Sequence, residues 1–148
     1  MNLLNREYSK RRAKGIREET IEQLHEKKLK YNIPPYYKLI KVPEKELAWV
    51  ISCAITQTFA VKTVEEVYID SKNRNRVDIY IPQYRMAIEV KVDNRRSKGS
   101  RPGETPKQQL ARYRRCSMVD KAYLVSVDGS IGLTIEELMG ALKIDFAR

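Results

Sequence analysis

A single histidine, His25, and two cysteines, Cys53 and Cys116, are all the imidazole and thiol that the 148 residues offer to a zinc ion. The cysteines have no CxxC spacing, so a zinc site is not expected, and two unpaired thiols inside helical stretches read as buried residues of a protein in a reducing interior. Long apolar runs are missing too: none approaches the length of a membrane helix, and no apolar h-region marks a signal peptide. The expectation is a cytoplasmic protein with no membrane partner, for which a prokaryotic or phage-type context is plausible. There is no internal repeat, and no helicase or ATP-binding motif. Acidic residues are also short, 19 against 29 lysines and arginines, which gives a formal charge of +10. A basic surface of this kind attracts phosphate backbones and speeds encounter with them.

What is present is most informative at residues 76 to 92. Arg76-Val77-Asp78-Ile79-Tyr80-Ile81 and Ala87-Ile88-Glu89-Val90-Lys91-Val92 are two strand-like runs rich in β-branched residues, each interrupted by charge. Between them Pro82-Gln83-Tyr84-Arg85 suits a hairpin loop, and its proline argues against one continuous strand. Alternation turns Asp78 away from Val77 and Ile79 and puts Glu89 and Lys91 on one face. Pairing the strands would gather two carboxylates and an amine at the sheet surface. Carboxylates that close repel unless a cation lies between them or one takes a proton. Oxygen ligands of this sort suit magnesium, which binds through one or two carboxylates plus substrate phosphate, and the chemistry suggested is metal-assisted phosphodiester hydrolysis.

The surrounding pattern predicts a helix over 43 to 59, with Leu47, Val50, Ile51, Ala54 and Ile55 at helical spacing and Glu44 and Glu46 in its first turn. A strand over 63 to 69, a polar turn, and the two charged strands come after it. A loop over 94 to 106 leads to a helix over about 107 to 118, a strand over 122 to 127 ended by Asp128-Gly129, and a last helix from Thr134, whose Glu137 completes a capping-box pattern. The order is α, β, β, β, α, β, α.

Asp78 followed by Glu89-Val90-Lys91 on the next strand resembles the catalytic signature of the PD-(D/E)xK nuclease superfamily, and the element order over roughly 43 to 130 resembles its αβββαβ core. Val77 stands where that signature has proline, a loosely kept position. Gln109-Leu110-Ala111-Arg112-Tyr113 resembles the QxxxY element of the RecB-like and λ-exonuclease-like branches. The resemblance implies an α/β (α+β) restriction-endonuclease-like fold, with a mixed central sheet flanked by helices. It implies a catalytic set of Asp78, Glu89, Lys91 and Gln109, with Gln108 as the alternative to Gln109. It implies Mg2+, for which Mn2+ can substitute, on Asp78, Glu89, the Val90 carbonyl and Glu46, with Glu44, Glu65 or Glu66 as other acidic candidates. Lys91 would position the attacking water, leaving a 5′-phosphate and a 3′-hydroxyl.

Cations cluster beside this motif. Arg95, Arg96, Lys98, Arg101, Lys107 and Arg112, with Tyr113, are expected to contact DNA, joined by Arg11, Arg12 and Lys14 of a second basic cluster. Residues 1–42 read as a basic helical arm ahead of a nuclease core over 43–148. Its helix, about 18 to 31, carries only a thin stripe of Ile21, Leu24 and Leu29, and must pack on the core, dimerise or lie along nucleic acid. Trp49 reads as packing, while Tyr36, Tyr37 and Tyr84 are candidates for stacking on bases. The expected activity is that of a metal-dependent DNA endonuclease of homing or restriction type, acting on duplex or branched DNA as a homodimer or higher symmetric oligomer. The alternatives are a Holliday junction resolvase, a RecB-like exonuclease, and a non-catalytic nucleic-acid-binding module. The bland one is a surface Glu89–Lys91 ion pair on an unrelated α/β domain.

Overall fold

The computed structural model describes residues 20–72, 74–92 and 103–147. Helix α1 (Ile21–Lys30) begins at Thr20, whose hydroxyl accepts from the Gln23 N–H while the Gln23 side chain accepts from the Thr20 N–H. This reciprocal box satisfies two donors that a helix start leaves open. A 3₁₀ segment (Tyr36–Lys41) connects it to α2 (Glu44–Phe59). Strands β1 (Val64–Tyr68), β2 (Arg76–Ile81) and β3 (Met86–Lys91) come next, then α3 (Pro106–Arg114), β4 (Lys121–Ser126) and α4 (Ile135–Phe146). From α2 onward the order is α, β, β, β, α, β, α. Among the described residues, no helix is long and apolar enough to cross a membrane.

The strands form one mixed sheet in the order β1-β2-β3-β4, antiparallel up to β3 and parallel between β3 and β4. The chain is thus α+β, a four-stranded mixed sheet flanked by helices. One core gathers Leu47, Ile51 and Ile55 of α2 with Ile79, Ile81, Ile88 and Val90 of the central strands and Leu138 and Leu142 of α4. A second joins Tyr80, Ala87, Ala122 and Leu124 to Leu110 and Tyr113 of α3. Covered on both faces, β3 is buried along its whole length. Continuous burial leaves a charged side chain there no route to bulk water, and it must find partners inside.

Two boundaries differ from expectation for identifiable reasons. Helix α3 stops at Arg114 and not near Met118, because Tyr80 Oη takes the Met118 carbonyl at 2.6 Å and Arg85 takes that of Ser117. Those carbonyls face the sheet as a turn. Of the three placements open to α1, the structure shows packing on the core. The expected apolar stripe is incomplete: Leu24 is buried, Leu29 is exposed, and the buried Lys28 beside Leu24 has no exposed surface at all. Lys28 Nζ reaches 35 residues along the chain to the Thr63 carbonyl (2.7 Å), reaches Glu65 Oε2 (2.5 Å), and lies 5.4 Å from the Trp49 ring centroid. Leu39 of the 3₁₀ segment enters the main core. The segment from residue 20 to residue 42 is therefore built into the same body as the sheet and its helices. Trp49 packs edge-on against Tyr31, and Tyr84 stacks on Phe146, which accounts for two aromatics by packing. Cys53 is buried and its thiol is pushed up to about 12, chiefly by burial; Cys116 is only partly buried.

Removing one partner of a buried ion pair leaves the other charge without compensation, at a cost of about 3–5 kcal/mol. Lys28→Ala is expected to lower the unfolding free energy by about that amount in denaturant titration. The double variant Lys28→Met with Glu65→Leu should regain most of it, and equal losses in both would show that α1 is held by something other than this pair.

Candidate active site

The ladder between β2 and β3 is short. It runs through Ile81↔Met86, Tyr80↔Ala87 and Ile79↔Ile88 and ends there. Beyond that point β2 stays with β1, at Val67↔Val77 and Tyr68↔Arg76, while β3 stays with β4, at Glu89↔Leu124 through Lys91↔Ser126. The sheet forks between its two central strands. Asp78 and Glu89 are the first residues past the last rung. Asp78 Oδ2 accepts from the Val90 N–H at 2.8 Å, so a side-chain carboxylate takes a donor that the ladder no longer uses. The N–H and C=O of one extended residue lie along the same strand edge, and the Val90 carbonyl faces the fork as well. On the other side of β2, β1 is irregular opposite Asp78: Glu66 falls between the pairs Glu65↔Ile79 and Val67↔Val77 and has φ 53°, in the left-handed region.

Helix α3 closes the fork. Its N-cap Thr105 and Gln108 form a capping box, which occupies Gln108 at the helix start and leaves the next residue, Gln109, to turn inward. Gln109 and Tyr113, one turn apart, are both buried and bonded, Gln109 Nε2 donating to Tyr113 Oη at 2.9 Å. Lys91 Nζ donates to Gln109 Oε1 at 3.0 Å and lies 4.0 Å from Glu89 Oε2. Tyr113 Oη is 3.0 Å from the Arg76 carbonyl and 3.1 Å from Glu89 Oε2. With side-chain exposures of 4% for Glu89 and 1% for Lys91, a solvated surface pair is ruled out.

Proton counting shows a competition in this cluster. A phenol has one proton, and two acceptors compete for it, Arg76 O and Glu89 Oε2. A proton on Glu89 would have two acceptors of its own, Tyr113 Oη and the Asp78 carboxylate, and could serve only one of them. Burial, then the charge of Asp78 and the bond to it, push the Glu89 carboxyl well above the usual range, against the pull of Lys91 and of the Tyr113 hydroxyl. Burial, followed by Glu89 and Asp78, pushes Tyr113 upward, so it stays a phenol. The same pair of carboxylates that favours a proton on Glu89 would also accept a cation. The donor set is two carboxylates and a carbonyl, all oxygen, which matches a hard divalent ion and not a soft one.

Other residues expected at the site are dispersed. Glu46 is exposed in the first turn of α2, and among the described residues no group of three or more His, Cys, Asp or Glu side chains is arranged to hold a metal. The expectation of Glu46 as a ligand thus has no support in the geometry; Glu65 is taken by Lys28 and Glu66 lies 3.7 Å from Lys45. Gln109 does not face outward to a phosphate but bridges Lys91 to Tyr113. Tyr113 is 1% exposed, which removes it from the residues able to stack on nucleic acid. Arg112 is also committed: Nε and Nη2 hold both oxygens of Glu104 (3.0 and 2.9 Å), and Nη1 binds Asn75 Oδ1. A bidentate pair of this kind fixes geometry, and here it ties the start of α3 to the β1–β2 turn. Among the described residues, Lys107, exposed in the first turn of α3, is displayed as expected. Arg11, Arg12, Lys14, Arg95, Arg96, Lys98 and Arg101 lie outside the described residues. The signal for Arg112 was in the chain, an acidic residue eight positions ahead, but the basic run around it dominated.

No protein-family model matches the chain, and no curated protein and no solved structure matches it.

The raised Glu89 carboxyl makes a stability prediction. In the unfolded chain Glu89 ionises at its usual, lower pH, so the protonated form favours the folded state. The stability it contributes is full below the unfolded value and is lost as pH rises toward the folded one. Glu89→Gln, neutral throughout, should melt with the unaltered protein in acid and a few degrees above it at pH 8 in EDTA. A gap that stays constant with pH would place the carboxylate in a different environment.

Proposed function

We propose that the chain is a metal-dependent deoxyribonuclease of the PD-(D/E)xK type, an endonuclease of homing or restriction kind acting on duplex or branched DNA. The observation that carries this reading is the convergence of Asp78, Glu89 and Lys91 at the fork between β2 and β3, with the Val90 carbonyl on the same edge. Two carboxylates beside one lysine, with no apolar substitute, cost stability in a metal-free fold and have a use only where a cation and a phosphate arrive. Asp78, Glu89 and Val90 would hold magnesium, which supplies Lewis-acid polarisation of the phosphate and a more acidic water. Asp78 is fixed for this task by the Val90 N–H. Lys91, held by Gln109, keeps its ammonium beside the ligand oxygens, where it would orient the attacking water and offset the charge that develops on the phosphate. Gln109 and Tyr113 are positioning residues. Their engagement with Lys91 and Glu89 also favours a second reading, an exonuclease related to the RecB-like branch. Cutting both strands of a duplex calls for two such sites and hence a symmetric pair of chains.

The test is incubation of supercoiled plasmid, linear duplex and a four-way junction with magnesium and with EDTA. Discrete plasmid fragments in magnesium are expected; progressive loss of linear ends would select the exonuclease, and junction cutting alone the resolvase. Asp78→Ala and Glu89→Ala should abolish cleavage and leave DNA binding equal or tighter, since each removes negative charge. Lys91→Ala should lose about a hundredfold to ten-thousandfold in single-turnover rate. Full activity in any of the three variants would contradict the assignment. Absence of cleavage throughout, with DNA still bound, would leave a binding module.

A further inference from the structure

The β1–β2 turn carries a set of cations that the site does not use. Lys72, Arg74 and Arg76 are all exposed, and among the described residues none of them forms an ion pair. Other acidic groups are already engaged: Glu22 with Lys62, Glu65 with Lys28, Glu104 with Arg112, Asp120 with Arg85, Asp145 with Lys121. Asp70, the acidic residue of the turn itself, is spent inward. Its Oδ1 accepts from the Arg74 N–H at 2.9 Å and its Oδ2 from Asn75 Nδ2 at 2.6 Å. The Ile69 N–H closes the turn onto the Asn75 carbonyl at 2.9 Å, and Asn75 Oδ1 is held by Arg112 of α3.

Arg74 and Asn75 are thus held from inside by Asp70, while Lys72, Arg74 and Arg76 are exposed. It is also fixed relative to the fork, because the Arg76 carbonyl accepts from Tyr113 and Arg112 neighbours Tyr113 on α3. Arg76 and Asp78 are two apart on β2 and share a face. Two residues of strand advance about 6.6 Å.

We infer that the β1–β2 turn is a phosphate clamp for duplex DNA, in which Arg76, Arg74 and Lys72 grip successive backbone phosphates leading away from the one placed at Asp78 and Glu89. The choice of DNA as partner rests on the nuclease reading. The turn fixes register on the strand to be cut and carries no base information of its own. Arg74 and Arg76 are preorganised by the bonds from Asp70 and Tyr113 to their backbone, and lose little backbone freedom when they bind.

The experiment measures duplex affinity in EDTA over a range of salt, for the unaltered protein, for Lys72→Ala/Arg74→Ala/Arg76→Ala, and for Lys38→Ala/Lys41→Ala/Lys143→Ala. The last removes the same charge from exposed positions on the 3₁₀ segment and α4, away from the turn. Each phosphate contact contributes about 0.9 to the slope of log K against log salt, so loss of three should flatten it by about 2.7 and weaken binding on the order of a hundredfold at 0.1 M salt. The control variant should change the slope by less than one contact. An unchanged slope in the turn variant, an equal change in the control, or no binding of duplex by the unaltered protein would overturn the inference. If the unaltered protein cleaves and the turn variant keeps its slope, the clamp fails and the nuclease stands. If nothing is cleaved in magnesium but the slope of the turn variant flattens by three contacts, the clamp stands and the nuclease fails.

Discussion

Two carboxylates meet at the fork of a sheet, and the meeting is tolerable only with a positive charge or a proton between them. Asp78 and Glu89 come together because the β2–β3 ladder stops at Ile79↔Ile88, and Asp78 then takes the Val90 N–H. The burial of β3 removes water as a screen, so repulsion between the two side chains is felt at low effective dielectric. Lys91, 4.0 Å from Glu89 Oε2, offsets part of it.

The remaining architecture can be understood as support for that fork. Helix α3 fills it with a chain of contacts, Lys91 to Gln109 to Tyr113 to the Arg76 carbonyl, that ties β3 back to β2 where backbone pairing is lost. Arg112 extends the tie to the β1–β2 turn. Elsewhere Lys28 fastens α1 to β1 through Glu65 and to the residue before it, Thr63. Each device is a buried polar network whose members are mutually satisfied, the form in which such groups add rigidity without a large penalty.

Much of this was legible in the chain. Charges inside β-branched runs are anomalies visible one strand at a time, so Asp78, Glu89 and Lys91 could be singled out without knowing the fold. The Thr134–Glu137 box marked a helix start correctly, and the same pattern at Thr20–Gln23 and Thr105–Gln108 was there to be read. The fork was not legible, because side-chain alternation is the same in a paired strand and an unpaired one. Lys28 was invisible for another reason: its partners lie 35 and 37 residues away, and a lysine on a charged helix gives no hint of burial. Glu46 shows the limit of helical spacing, which gives a face without saying where that face points. Arg112 and Tyr113 show that basic and aromatic residues near a site can be its scaffold and not its surface.

If Asp78 and Glu89 form a cation site, anomalous diffraction at the manganese edge, from crystals soaked in Mn2+, will detect it directly. A peak within coordination distance of both carboxylates, lost in Asp78→Asn, is the expected result. No peak at this pair, with manganese bound elsewhere on the chain, would contradict it.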